Sequence, residues 1–253
     1  MQIAAIIPAR YASTRFPGKP LASIAGRPMI ARVYQQVSST EIVDFTMVAT
    51  DDLRIVRAVE EYGGEAVMTS SSHSSGTDRL AEAAAGVQAD IIVNVQGDEP
   101  LIKPEMIAQA VTLLQQDKEI KMATLAAPAG PEIARDPDRV KVVLDQQNRA
   151  LYFSRTAIPA VRGDNCQRES GSGEQPEFLQ HIGLYVYQRE FLMTFSGLQP
   201  TPLEKRESLE QLRALENGYK IGVGICRHHG PGVDRPEDIA SVEEIIFQEE
   251  KGG

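Results

Sequence analysis

The stretch QIAAIIPARYASTRFPGKPL, from Gln2 to Leu21, decides the fold. Residues 2–7 form a short, isoleucine-rich apolar run and read as a buried strand. The following residues form a long loop, punctuated by Pro8, Pro17 and Gly18 and carrying Arg10, Arg15 and Lys19 beside the hydroxyls of Ser13 and Thr14. A cationic loop directly after a core strand can wrap a triphosphate with side-chain forks and backbone N–H groups. Between Met1 and Thr40 there is no Asp or Glu, and Arg27 and Arg32 add to the positive field. In a chain of net charge −9, that local field suits a small polyanion better than a polymer. The cradle is not a Walker loop, because GxxxxGK[ST] is absent, and Gly222-x-Gly224 fails as a dinucleotide fingerprint because Arg227 stands where a third glycine is needed.

Outward from this loop, β-branched runs alternate with helical patterns. Strands are expected over 2–7, 45–49, 65–68 and 90–95, and helices over 28–37, 51–62, 75–85 and 104–115, with Thr50 as N-cap of the second. This alternation indicates a parallel sheet covered by helices on both faces, a three-layer α/β/α body. Ligands of such sheets sit outside the carboxyl ends of the strands. The loops at 8–19, 50–52, 70–79 and 96–99 all fall there. After about Thr124 the pattern shifts to strand runs at 140–144, 151–154 and 182–187, an extension of the sheet or a smaller portion, about 125–200, of the kind that pairs two subunits. The whole of 1–253 is expected to act as a single domain. Residues 162–177, with the run Ser170 to Gly173, are too polar to pack and read as a surface loop; a last strand at 221–225 leads to a terminal helix from Pro236.

With 253 residues, 42% hydrophobic and 24% charged, the chain can bury a full core, and disorder is excluded for the whole. The net negative charge argues against non-specific binding of nucleic acid or an anionic membrane. No apolar run approaches the roughly 18 residues of a membrane span, and the N-terminus lacks a signal peptide's charged start, so a cytoplasmic location is expected. Cys166 and Cys226 are too few for a disulfide framework and read as free thiols. Cys226 with His228 and His229 is too tightly spaced for an ordinary zinc site.

The loop PARYASTRFPGKPL resembles the signature loop of the sugar nucleotidyltransferases that make CMP-activated acid sugars, most closely the 3-deoxy-manno-octulosonate (Kdo) cytidylyltransferases. Further matching segments follow in order: SGTDRL from Ser75, NVQGDEP from Asn94, YFSRTAIP from Tyr152, HIGLYVY from His181, LEQLRALENG from Leu209 and GVDRPED from Gly232. Together they cover nearly the full length, and they imply a nucleotide-diphospho-sugar transferase fold of Rossmann-like character and a homodimer.

The resemblance also implies roles. Arg10 and Lys19, helped by Arg15 and Ser13, would hold the CTP triphosphate and stabilise charge as pyrophosphate leaves. Ser75, Gly76, Arg79 and Gln96 would meet the nucleotide, although Ser75 and Asp78 also have the spacing of a capping box. Asp98, at a strand tip beside the phosphates, is the expected first ligand of Mg²⁺ and Asp234 the second. On the acceptor side, Kdo's carboxylate calls for a cation and its hydroxyls for paired donors and acceptors. Arg155 would take the carboxylate or the α-phosphate; His181, Tyr185, Glu210 and Gln211 would face the sugar. Read without the resemblance, His181 is a satisfied structural histidine and Glu210-Gln211 an exposed helix face. The expected reaction is transfer of CMP from CTP to Kdo for lipopolysaccharide assembly, with Arg10, Lys19, Asp98 and Arg155 as its catalytic residues. Alternatives are the same chemistry on an 8-amino analogue or a sialic acid, and a non-catalytic CTP-binding protein.

Overall fold

Strand β1 (Ile3–Ala9) sits at the heart of the protein, and none of its residues is appreciably exposed. Alternation along it feeds two cores at once: Ile3, Ala5, Ile7 and Ala9 point into one hydrophobic layer, Ala4 and Ile6 into the other. Each buried isoleucine here is worth roughly 1.5–3 kcal/mol of transfer free energy. A strand packed on both faces has no polar side, which is why residues 2–7 carry no polar alternation.

The computed structural model describes residues 1–12, 16–73, 75–160, 178–227 and 230–252. After β1 come the small hairpin β2 (Ser23–Ile24) and β3 (Arg27–Pro28), then α1 (Met29–Ser38), β4 (Phe45–Thr50), α2 (Leu53–Glu61), β5 (Ala66–Met68), α3 (Gly76–Ala85), β6 (Ile91–Val95) and α4 (Pro104–Gln116). The second half adds β7 (Met122–Ala129), α5 (Pro131–Arg135), β8 (Lys141–Leu144), β9 (Ala150–Ser154), β10 (Phe178–Gln188), α6 (Arg189–Ser196), α7 (Pro202–Glu207), α8 (Gln211–Glu216), β11 (Ile221–Ile225) and α9 (Asp238–Gly252).

The sheet runs β11-β7-β10-β6-β1-β4-β5, with β8 and β9 branching from β10. Helices α1, α2 and α4 cover one face and α3, α6 and α8 the other, giving the three layers expected. A further small core joins α9 to the β2–β3 hairpin through Ile24, Met29, Val233, Val242 and Ile246.

Two differences from the sequence reading matter. First, the sheet is not wholly parallel: β10 runs antiparallel between β6 and β7. The region after Thr124 is therefore built into the centre of the main sheet, with only the β8–β9 hairpin outside its path. Second, Thr50 does not cap α2. It ends β4, and Asp52 is the N-cap, its carboxylate accepting from Arg54 N at 2.8 Å. A carboxylate reaches the orphan N–H groups there, while the Thr50 hydroxyl accepts only from Asp52 N, at 3.3 Å.

Strand β10 changes register against β7 between Ile182 and Tyr185. Two carbonyls on either side of Gly183 find a side-chain partner in Thr124, which is wholly buried. Its hydroxyl donates to the carbonyls of Leu184 at 2.7 Å and Ile182 at 3.2 Å, with His181 Nε2 3.0 Å away. Replacing Thr124 by Val should leave those carbonyls without their donor, lowering unfolding free energy by about 1–3 kcal/mol. Urea denaturation should show a lower midpoint with unchanged slope.

Candidate active site

Parallel pairing places the tips of β1, β4 and β6 along one edge: Ala9 lies opposite Thr50, and Ile6 opposite Asn94. Beyond them opens a cavity of about 440 Å³. Six of the residues singled out in the sequence line it: Arg10, Lys19, Gly76, Gln96, Asp98 and Asp234. Ser13 and Arg15 lie outside the described residues, as do the 162–177 loop, Cys166, His228 and His229.

The loop after β1 closes on itself where Gly18 N donates to the Tyr11 carbonyl at 3.0 Å. Gly18 has φ +72° and packs on the Tyr11 ring, a conformation that disfavours side chains. The Arg54 guanidinium covers the Tyr11 ring, 3.3 Å from its centroid. This turn delivers Lys19 into a 3-10 turn at Lys19–Leu21. The Lys19 ammonium donates to Asp98 Oδ2 at 2.6 Å and to the Val233 carbonyl at 2.9 Å, and lies 3.7 Å from Asp234 Oδ1.

Asp98 and Asp234 are far apart in sequence, and the backbone brings them together. Val233 N donates to the Asp98 carbonyl at 2.9 Å. A side chain on Gly232 would meet that carbonyl at 3.3 Å and Glu99 Oε1 at 3.4 Å, so glycine permits the close approach. Asp238 then accepts from Asp234 N and Arg235 N, both at 2.8 Å, fixing the turn while Asp234 keeps its carboxylate toward the cavity.

Negative charge is concentrated at this point. Burial, with Asp98 next in effect and Asp234 adding to it, pushes the Glu99 carboxyl up to about 8. Two carboxylates converging beside a cavity large enough for phosphate groups suit Mg²⁺, which binds through one or two carboxylates and completes its shell with substrate phosphates and water. Among the described residues no cluster of three or more His, Cys, Asp or Glu could hold a metal without such help.

Other expected residues have different partners. Ser75 forms the capping box with Asp78 at the start of α3. Gln96 lines the cavity and its amide donates weakly to Asn94 Oδ1 at 3.4 Å. Arg79, expected against the nucleotide, has a side chain only 1% exposed. Its guanidinium bonds Asp51 Oδ2 at 2.8 Å and the Thr69 hydroxyl, tying α3 to the ends of β4 and β5.

Glu210 is bonded to the Thr77 hydroxyl and lies 3.4 Å from Arg213, and burial raises its carboxyl despite these partners. Those contacts knit α8 to the first turn of α3. Gln211 is buried, not part of an exposed face. His181 and Tyr185 stand on β10 with ring centroids 5.2 Å apart, and burial pushes the Tyr185 phenol well up. Arg155 donates from Nε to the Glu207 carbonyl at 2.8 Å and from Nη1 to the Pro137 carbonyl at 3.1 Å. Its backbone N–H binds Glu207 Oε2 at 2.9 Å. Asp51 fell within the 50–52 loop expected at the ligand edge, but its pairing with Arg79 was not foreseen, and Thr69 and Glu207 were not singled out; single acidic or hydroxyl residues carry no local signal of such long-range pairing.

A cationic loop and two opposed aspartates at the tips of a three-layer sheet define a nucleotidyltransferase of the α/β class. A profile described as cytidylyltransferase matches residues 4–221. The 3-deoxy-manno-octulosonate cytidylyltransferase of Syntrophotalea carbinolica is 52% identical over 96% of this chain and 98% of its own. That of Syntrophobacter fumaroxidans is 50% identical over the whole of both. The solved structure of a CMP:2-keto-3-deoxy-manno-octonic acid synthetase complexed with CTP superposes with TM-score 0.90 at 40% identity, over 98% of this chain and all of that one. The chain belongs to the cytidylyltransferase family, among its 3-deoxy-manno-octulosonate members. A cytidylyltransferase from Leptospira borgpetersenii shares the fold, with TM-score 0.64 at 15% identity over 98% of this chain and 87% of that one.

If Arg79 ties α3 to the strand ends and does not touch nucleotide, Asp51→Asn should strand its buried cation. Unfolding free energy should fall by about 3 kcal/mol. Urea denaturation checks this. Unchanged stability with weakened CTP binding would instead place the Arg79–Asp51 pair at the nucleotide.

Proposed function

We propose that the protein transfers CMP from CTP to Kdo, releasing pyrophosphate. The observation that carries this reading is the Lys19 ammonium held between Asp98 and Asp234 at the rim of a strand-tip cavity shared with Arg10. Full-length similarity to proteins named for this activity supports the acceptor.

In the reaction the anomeric hydroxyl of Kdo attacks the α-phosphorus. A new oxygen–phosphorus bond forms, the bond to pyrophosphate breaks and the hydroxyl proton passes to solvent water. Arg10 and Lys19 neutralise charge growing on the departing pyrophosphate. Gly76, at the N-terminus of α3, and Gln96 face the nucleotide end of the cavity, while Arg155 offers the cation for the acid sugar's carboxylate. His181, Tyr185 and Gln211 complete the sugar side, with Glu210 holding its wall. Asp98 and Asp234 would hold Mg²⁺, which when bound supplies Lewis-acid charge neutralisation on the phosphates. Catalysis then comes from positioning and electrostatic stabilisation, with no protein nucleophile. In the same reading the enzyme works as a cytoplasmic homodimer whose product feeds lipopolysaccharide assembly. No helix among the described residues is long and apolar enough to cross a membrane.

Pyrophosphate release with CTP, Mg²⁺ and a panel of acid sugars tests the reading. Release should depend on Kdo. Equal or greater turnover with the 8-amino analogue or a sialic acid would change the acceptor, and no release with any pair would leave a CTP-binding protein. Asp98→Asn should fold normally and lose on the order of 10³-fold in kcat. Wild-type turnover in that variant would overturn the role of Asp98.

A further inference from the structure

Lys141 is a buried cation that the reaction does not use directly. It is wholly buried on β8, and its ammonium has three donors and three acceptors: the carbonyls of Asp136 at 2.8 Å, Arg139 at 2.6 Å and Arg155 at 2.6 Å. Ordinary stability does not call for such a group, since taking an ammonium out of water is costly and an apolar side chain would fill the space. Burial accordingly lowers its pKa. What the ammonium does is tie the 136–139 turn, just before β8, to the Arg155 carbonyl, one residue beyond the Ser154 that pairs with Lys141.

Those segments lead to both ends of the site. The 136–139 turn passes its Pro137 carbonyl to Arg155 Nη1, at 3.1 Å. Its Asp138 carboxylate accepts from Arg235, the neighbour of Asp234, at 3.0 Å. Its Arg139 charge acts on the Glu99 carboxyl beside Asp98. The β8 backbone itself lies between Ser154 of β9 and Gln180 of β10, and the adjacent Val140 carbonyl accepts from His181 N at 2.8 Å. One side chain thus stands where the backbones carrying Arg155 and His181 meet the strap that reaches the aspartate pair.

We propose that Lys141 is a positioning residue that locks the 136–139 strap to the Arg155 carbonyl, holding the acid-sugar side of the site in fixed relation to Asp98 and Asp234. The inference rests on the reading of Arg155 as the cation for the acid sugar. The nucleotide cavity is lined by residues of β1, α1, α3, the tip of β6 and the loops beside them, none of which the Lys141 ammonium touches; only Asp234 lies next to a residue of the strap's contacts. Losing it therefore impairs the acceptor half selectively.

The test is Lys141→Met, of similar length but without donors, checked for folding by circular dichroism and thermal melting and assayed with CTP, Kdo and Mg²⁺. A shift of the acceptor by a fraction of an ångström should lower kcat/KM for Kdo by about 100-fold, while KM for CTP stays within about threefold. A folded variant with wild-type kcat/KM for Kdo, or one whose KM for CTP rises in parallel, overturns the role. Should Lys141→Met fail to fold, the exposed pair serves: Asp138→Ala and Arg235→Ala should each lower kcat/KM for Kdo by about tenfold and no further when combined. No effect, or additive effects, would contradict the strap. Wild-type protein that releases no pyrophosphate overturns the assigned reaction as well, whereas an active wild type beside an unimpaired Lys141→Met overturns only Lys141.

Discussion

The Lys19 ammonium between Asp98 and Asp234 is the contact on which the site depends. It unites three parts of the chain: the loop after β1, the tip of β6 and the turn before α9. Each aspartate alone is an ordinary turn residue. Their convergence on the Lys19 ammonium pairs charges from three distant parts of the chain at the rim of one cavity. Burial, with Asp98 next in effect, pushes the neighbouring Glu99 carboxyl up.

The fold serves this convergence through two layers of constraint. Parallel strands bring loops to one edge, which places Arg10, Gly76 and Gln96 around one cavity. The reversed strand β10 then threads His181 and Tyr185 into the centre of the same sheet, with Tyr185 opposite Asn94 on β6. Thr124 makes that insertion tolerable by satisfying the carbonyls at its register change. Around the rim, buried polar locks replace regular pairing: Arg79 with Asp51 and Thr69, Glu207 with Ser154 and Arg155, Lys141 with three carbonyls.

Most of the first half was legible in the sequence because its signals are local. Apolar runs such as residues 2–7 mark buried strands, Ser75 and Asp78 announce a helix start, and the absence of acids up to Thr40 marks the cationic loop. The aspartate pair was legible through the resemblance of its motifs, since neither Gly97-Asp98 nor Val233-Asp234 is distinctive alone. The direction of β10 was not legible, because an apolar run looks the same read either way in the sheet. Nor was the burial of Arg79, since whether an arginine one turn into α3 turns outward or inward depends on Asp51 and Thr69, remote in sequence. Thr50 was mistaken for a cap because the choice between a hydroxyl and the nearby Asp52 carboxylate is made by the geometry of the strand end.

Crystals grown with CTP and Mn²⁺ in place of Mg²⁺ test the account at its centre, through anomalous scattering from the metal. One manganese peak should bridge the carboxylates of Asp98 and Asp234 and touch CTP phosphate oxygens, with the Lys19 ammonium moved from between the aspartates onto the phosphates. Bound CTP with Lys19 still between the two aspartates, and manganese on other residues, would contradict it.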